Sequence, residues 1–190
     1  MRFVLASANP HKAAEIAAIL DGFEVLPRPP EIPDVEETGE TLEENARLKA
    51  RALVDATGLA AVADDTGLEV AALDGAPGVH SARYAGVGAT YAGNVAKLLG
   101  ALDGEEDRRA RFRTVAIALF PDGREIVAEG VVEGEITTER QGSGGFGYDP
   151  VFAPLGSDGR TFAQMSAAEK NALSHRGRAF RALAEYLLED

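Results

Sequence analysis

The chain alternates between short apolar runs, which predict strands, and longer segments whose apolar residues recur every three or four positions, which predict helices. The predicted strands of the first third lie at residues 2–6, 23–26 and 59–63. The first helix is predicted from about Pro10 to Leu20, because Asn9 is a favourable N-cap and proline fits the first helical position. Strand and helix therefore alternate from the start of the chain.

The rest of the pattern predicts further helices and a hairpin. Helices are predicted at 41–57, where Thr41 and Glu44 form a capping-box pattern, at 90–102, and from Ser166 onward with a break near Ser174 or Gly177. Strands at 111–120 and 125–133 flank a turn signal and predict a hairpin, in which Gly130 is expected to mark a bulge or bend. This order is typical of a single α/β domain, residues 1–190, with a mixed sheet.

The composition limits the classes of molecule that the protein can bind. The formal net charge of −12 argues against a nucleic-acid polymer, which requires a basic face, although it does not exclude a small phosphorylated ligand. The absence of cysteine excludes disulfides and thiolate chemistry. No apolar run approaches the roughly 20 residues of a membrane span, and the first apolar run is too short for a signal peptide. We therefore expect no membrane association, and a cytoplasmic location is compatible with these features.

Two adjacent acids, Asp64 and Asp65, follow the apolar run at 59–63. A buried strand that ends in carboxylates is a common support for a metal or a catalytic base, but a capped, solvated turn fits the same residues. Successive side chains on a strand face opposite ways, so both acids can serve one metal only if the strand has ended. We expect Thr66 and Gly67 to end it there.

Three other segments carry candidate binding groups, each with a plainer alternative. The turn at 7–12 precedes a helix N-terminus, which favours an anion, yet an ordinary capped helix fits it as well. In the glycine-rich segment 144–150, Phe146 can stack on a base and Asp149 can accept hydrogen bonds, or Phe146 can simply belong to the core. The basic turn at 174–176 is either a ligand contact or a solvated helix face.

Taken together and in this order, five motifs closely resemble the Ham1/RdgB family, the inosine triphosphate pyrophosphatases. They are SxNxxK at 7–12, ETGxTxxENAxxKA at 37–50, ADDTGLEVxxLxGxPGxxSARYAG at 63–86, GGFGYDPxF at 144–152 and EKNxxSHRGxA at 169–179. The resemblance covers essentially the whole chain; Ser7 stands where many relatives carry Thr, and Ser143 where an acid is common. It implies a mixed central β-sheet flanked by helices, with two lobes and an active-site cleft between them.

The resemblance also implies an activity: Mg²⁺-dependent hydrolysis of ITP, dITP, XTP and related deaminated purine nucleotides to the monophosphate and pyrophosphate, which cleanses the nucleotide pool. It implies a cytoplasmic homodimer in which Asp65 is the general base and a metal contact. Glu37 matches the second metal-associated carboxylate, and Glu36 is close enough in sequence to be the true ligand. The residues implied in triphosphate or substrate binding are Ser7, Ala8, Asn9, Pro10, His11, Lys12, Lys49, Thr66 and Lys170. Those implied in base binding are Phe146, Gly147, Tyr148, Asp149, His175 and Arg176.

Three alternative functions remain open at this point. A haloacid-type phosphatase also places acids after a buried strand, but its DxDx[TV] motif is absent because Asp64 and Asp65 are adjacent. Maf-like nucleotide pyrophosphatases share the general fold but prefer other bases, and the FGYDP and SHR motifs argue against them. A nucleotide-binding regulatory module would need no Asp65 or Glu37.

Overall fold

The strands largely follow the predicted apolar runs. The computed structural model describes residues 1–189. Its strands are β1 (Arg2–Leu5), β2 (Glu24–Leu26), β3 (Ala61–Val70), β4 (Pro77–Gly78), β5 (Arg109–Leu119), β6 (Glu125–Ile136) and β7 (Phe152–Pro154). Within the described residues they form a seven-stranded sheet in the order β2-β1-β3-β5-β6-β7, with β4 beside β3. Because β1 is parallel to β2 and β3 while β4 and β7 are antiparallel to their neighbours, the sheet is mixed, as predicted.

The helices begin and end where the capping residues predict. They are α1 (Pro10–Ile19), α2 (Leu42–Thr57), α3 (Tyr91–Ala101), α4 (Ala167–Leu173) and α5 (His175–Glu189). The side chain of Thr41 accepts from the backbone of Glu44 and the Glu44 side chain returns a bond, which is the predicted capping box. Ser174 has extended backbone and separates α4 from α5, so the predicted break is confirmed there. Among residues 1–189, no helix is long and apolar enough to cross a membrane.

The described chain divides into two compact units, each with its own core. The first unit comprises Met1–Asp65, Thr114–Gly130 and the residues from His175 onward; the second comprises Thr66–Arg113 and Val131–Ser174. Buried side chains of the first core include Phe3, Ile16, Val62, Phe180 and Leu183. Those of the second core include Leu68, Leu98, Phe112, Phe152 and Phe162.

Strand β3 is longer than the sequence predicted. The sequence predicts that Thr66 and Gly67 end the strand, but it continues to Val70. Leu68 and Val70 are completely buried, and Leu68 pairs with Gly78 of β4. The prediction that Thr66 and Gly67 end the strand is therefore wrong, because the burial and pairing of the apolar residues beyond them outweigh a local turn preference.

In the first unit, β6 approaches the first turn of α5 very closely at Gly130. A Cβ atom built on Gly130 would lie 2.1 Å from the carbonyl oxygen of His175 and 2.4 Å from the amide nitrogen of Ala179. Side chains larger than hydrogen cannot fit at such distances without moving backbone. The glycine expected to mark a bulge or bend thus serves to seat the helix that begins with His175 and Arg176.

Candidate active site

In the first unit, α2 presents polar groups along the same side as its buried apolar residues. Asn45 and Lys49 lie one helical turn apart on the face that also buries Leu42, Ala46 and Leu53. The Nζ atom of Lys49 lies 2.8 Å from Glu37 Oε1 and 3.0 Å from Asp65 Oδ1. The ammonium, which would be costly to bury alone, is therefore shared by two carboxylates.

Asp65 is buried and each of its carboxylate oxygens accepts a bond. Oδ1 accepts from Lys49, and Oδ2 accepts from Nδ2 of Asn45 at 3.3 Å. Burial raises the pKa of Asp65 above its usual value; Lys49 opposes that rise and nearby Glu37 adds to it. The Lys49 pKa is also raised, because Asp65, Asp64 and Glu37 together outweigh the effect of burying its ammonium.

Asp64, the preceding residue, faces a different set of cations in the same unit. Its Oδ2 atom lies 3.2 Å from Arg176 Nε and 3.6 Å from Lys12 Nζ. Burial disfavours its ionised form, but Lys12 and Arg176 outweigh that cost and hold the pKa of Asp64 well below its usual range. Arg176, itself almost completely buried, also donates to Glu15 Oε2 at 2.6 Å. Asp64 is therefore ionised at neutral pH within a buried charge network.

The carboxylates of Glu37 and Asp65 form a donor set that suits a divalent cation. Mg²⁺ prefers hard oxygen ligands and is commonly held by one or two carboxylates together with substrate phosphates. The two acids already converge on one cation, the Lys49 ammonium, whereas Glu36 is exposed. No cluster of three or more histidines, aspartates or glutamates in residues 1–189 forms a complete protein cage for a metal. The residues present fit a metal that completes its coordination from a ligand.

The predicted anion-binding turn at 7–12 has the geometry of a capped helix with a lysine directed at the acids. Asn9 Oδ1 accepts from the backbone nitrogens of His11 and Lys12, at 2.9 and 3.3 Å, and Ser7 Oγ accepts from Asn9 N at 3.3 Å. Ala8, Pro10 and His11 are exposed at the surface of the turn. Of the residues predicted to bind phosphate here, the structure brings Lys12 to the carboxylates through Asp64.

In the second unit, the glycine-rich segment forms a compact cluster around Asp149. Asp149 Oδ2 accepts from the backbone nitrogen of Phe146 at 2.9 Å and from Lys170 Nζ at 2.6 Å. The Lys170 ammonium lies 4.4 Å from the centre of the Phe146 ring. Gly145 is required beside them, since its backbone φ is +68° and a Cβ would lie 2.0 Å from Asp149 Oδ2. Lys170, which the resemblance groups with the substrate contacts, thus contacts Phe146 and Asp149, which the resemblance assigns to base binding.

The remaining predicted site residues have mainly structural contacts. The Tyr148 hydroxyl donates to the carbonyl oxygen of Ser81 at 2.7 Å, and burial raises its pKa. Gly147, next to Phe146, has a φ of +60°, a left-handed conformation that favours glycine. His175 is buried at the start of α5 in the first unit, and Thr66 is half-buried within β3 in the second.

Two residues of the charge network were missed by sequence reasoning. Glu15 binds Arg176, and Asn45 binds Asp65. The signal for Asn45 was available: it is a polar residue at an apolar position of a strongly amphipathic helix, one turn before Lys49. No comparable signal marks Glu15, because an acid in a helix is most often solvated.

Comparisons with known proteins find relatives over nearly the whole chain. The model of the Ham1 family matches residues 3–186. A dITP/XTP pyrophosphatase of Streptomyces coelicolor is 48% identical over 99% of this chain and 98% of its own length. One from Nitratidesulfovibrio vulgaris is 52% identical over 96% of this chain and 93% of its own. A solved Ham1 protein from Coxiella burnetii superimposes with a TM-score of 0.89 at 45% identity, covering 100% of both chains. The chain belongs to the Ham1 family.

Proposed function

We propose that this protein is a pyrophosphohydrolase that converts dITP, ITP and XTP to the corresponding monophosphate and pyrophosphate. The observation that carries the proposal is the convergence of Glu37 and Asp65 on the Lys49 ammonium, at 2.8 and 3.0 Å. The arrangement combines two metal-type ligands, a candidate base and a cation for phosphate. Relatives about half identical over nearly the full chain are named dITP/XTP pyrophosphatases, which supports the same substrate class.

We assign the chemical step to Asp65. Its carboxylate orients a water molecule for attack on the α-phosphorus and accepts its proton. The water oxygen forms a bond to the α-phosphorus while the bond from that phosphorus to the α,β-bridging oxygen breaks, and pyrophosphate leaves with the bridging oxygen. A carboxylate that also holds Mg²⁺ is a weak base, so the role of Asp65 rests on its position, fixed by Lys49 and Asn45, more than on its proton affinity. Lys49 and Lys12 supply positive charge for the phosphates. A Mg²⁺ ion held by Asp65 and Glu37 would neutralise charge on the phosphate oxygens.

Base recognition in the second unit is assigned to the Phe146 ring, to the Lys170 ammonium as a donor, and to Asp149 as an acceptor for ring N–H groups. Hypoxanthine and xanthine present a 6-oxo acceptor where adenine presents a 6-amino donor. A site that offers donors leaves an adenine amino group unpaired, and such a mismatch can discriminate about 10⁴-fold. The Phe146 ring, half-buried and next to the Lys170 ammonium, is the surface we propose for stacking.

A panel of nucleoside triphosphates tests the proposal. Each nucleotide is incubated with the protein and Mg²⁺, and pyrophosphate, orthophosphate and monophosphate are measured separately. We expect pyrophosphate from dITP, ITP and XTP, much less from ATP and GTP, and none when a chelator removes the metal. Orthophosphate release would favour the phosphatase alternative, and binding without turnover would favour a regulatory module. Activity that persists in chelator would overturn the assigned metal dependence.

We further propose that the protein is a homodimer and cytoplasmic, as the family resemblance implies. Sedimentation equilibrium across a range of concentrations tests the first statement, since a dimer gives twice the monomer mass. A monomer at micromolar concentration would overturn it. Fractionation of the native cells tests the second.

A further inference from the structure

A buried side-chain amide joins the segment that carries Glu37 to the Asp65 carboxylate. Asn45 is completely buried in the first unit. Its Oδ1 atom accepts from the backbone nitrogen of Gly39 at 2.8 Å, and its Nδ2 atom donates to Asp65 Oδ2 at 3.3 Å. One amide group therefore contacts both the segment before α2 and the buried acid of β3.

The orientation of this amide is determined by its two partners. The Gly39 nitrogen can only donate, so the atom facing it must be the oxygen of Asn45. The ionised Asp65 carboxylate can only accept, so the atom facing it must be the amide nitrogen. If the amide were rotated by half a turn, two donors would face each other at Gly39 and two acceptors would face each other at Asp65. Asn45 is the residue type whose short side chain satisfies both requirements.

The segment carrying Glu37 is closely seated on α2 at the same place. A Cβ on Gly39 would lie 2.7 Å from both Asn45 Oδ1 and Glu44 Cβ, so only glycine permits the contact. The backbone nitrogens of Glu40 and Thr41 are held by Glu44 Oε2, at 2.7 and 3.2 Å. Glu37 lies two residues before this anchor and has no regular secondary structure of its own. The anchor thus limits where its carboxylate can lie.

We propose that Asn45 is a positioning residue, whose amide orients the Asp65 carboxylate and holds the Glu37 segment in register with it. This inference rests on the proposed roles of Asp65 and Glu37. Asn45 leaves Asp65 Oδ1 to the ammonium of Lys49, and it stops the carboxylate from rotating about its last bond. The side chain acts through these two acids rather than on the substrate.

Kinetics of Asn45→Ala test the catalytic consequence. Loss of a hydrogen bond to a charged group predicts a fall in kcat for dITP of about 10- to 100-fold, with KM changed by less than about threefold. Activity is expressed per folded molecule, determined by thermal unfolding in the same buffer. A residue that only supports the fold would leave kcat of the folded fraction unchanged, and that result would overturn the proposal.

A double-mutant cycle on stability tests the contact without using activity. Asn45→Asp keeps an acceptor for Gly39 but opposes a second carboxylate to Asp65, so the melting midpoint should fall by about 5–10 °C. Adding Asp65→Asn restores a donor–acceptor pair with the roles exchanged, and the double variant should regain at least about half of that loss. If the two substitutions change the melting midpoint additively, Asn45 and Asp65 do not interact and the proposal is overturned. If the wild-type protein releases no pyrophosphate, the proposed function is overturned instead. The double-mutant cycle then still decides whether Asn45 contacts Asp65.

Hydrogen exchange of the Gly39 backbone amide tests the second contact of Asn45, with the segment that carries Glu37. Asn45→Ala should speed its exchange by more than about tenfold, whereas Asn45→Asp should not, because it retains an oxygen facing Gly39. Equal exchange in both variants would overturn this half of the proposal. Asn94 provides a matched control: it is buried in the second unit, where its amide binds the backbone of Ala82 and Ala85. Asn94→Asp should lower the melting midpoint yet be additive with Asp65→Asn.

Discussion

Asp64 and Asp65 are consecutive residues of one strand, yet their carboxylates face different cations and their pKa values shift in opposite directions. Asp64 Oδ2 lies 3.2 Å from Arg176 Nε, whereas Asp65 Oδ1 lies 3.0 Å from Lys49 Nζ. The alternation of side chains along β3 produces this separation. Lys12 and Arg176 therefore keep Asp64 ionised, whereas burial raises the pKa of Asp65 above its usual value.

Replacing Asp65 by asparagine should abolish turnover while nucleotide binding remains. The amide cannot accept a proton from water at neutral pH, and loss of a general base typically costs about 10²–10⁴-fold in rate. Pyrophosphate release from dITP measures turnover, and calorimetric titration measures binding. Asp107→Asn changes a half-buried acid paired with Arg109, far from the site in sequence; this control variant should keep its activity. Near-normal turnover of the Asp65 variant would refute its assigned role.

Changing Glu37 to glutamine should alter the dependence of activity on Mg²⁺, whereas changing its neighbour Glu36 should not. Glu37 contacts Lys49, whereas Glu36 is exposed, so only Glu37→Gln should impair the response to Mg²⁺. We expect the Mg²⁺ concentration for half-maximal activity to rise by about tenfold or more for Glu37→Gln. That Mg²⁺ concentration should be unchanged for Glu36→Gln, a control that removes the same negative charge from the neighbouring residue. The reverse order would assign the ligand to Glu36.

Asp64→Asn should destabilise the protein in a pH-dependent manner when metal is removed by a chelator. The variant leaves Arg176 buried with one carboxylate fewer, which costs about 3 kcal/mol in the free energy of unfolding at pH 7. Because the folded-state pKa of Asp64 is lowered, its contribution is fully present above the unfolded value of about 4 and is lost as the pH falls toward the folded-state value. Melting midpoints of wild type and variant should therefore converge below about pH 4. A gap that widens in acid would contradict this.

Gly130→Ala should be strongly destabilising, because its Cβ would lie 2.1 Å from the His175 carbonyl oxygen. Overpacking of this kind costs about 1–3 kcal/mol or more, and the displaced helix carries Arg176. Gly100→Ala is a matched control in α3, where nothing lies within 4 Å of the added atom. That change should raise stability by up to about 1 kcal/mol, because alanine is the better helix former. Thermal unfolding measures both, and equal midpoints would show that β6 and α5 do not meet as described.

Local sequence determined most of the secondary structure. The capping residues Asn9, Thr41 and Ser166 each begin a helix where predicted, because an N-cap satisfies free backbone donors with a side chain only a few residues away. Such signals act over one helical turn and need no tertiary contact. The break at Ser174 and the hairpin of β5 and β6 follow from equally local patterns.

The tertiary structure determined the length of β3 and the side chains that Asp64 and Asp65 contact. Thr66 and Gly67 favour a turn locally, but the burial of Leu68 and Val70 extends the strand through both acids. The partners of Asp65 are 16 and 20 residues away in sequence, and Arg176 is 112 residues from Asp64. No local pattern encodes such distances, since they arise only when helices and strands pack. The sequence by itself therefore identified Asp64 and Asp65 as the candidate acids, and the fold separated their environments.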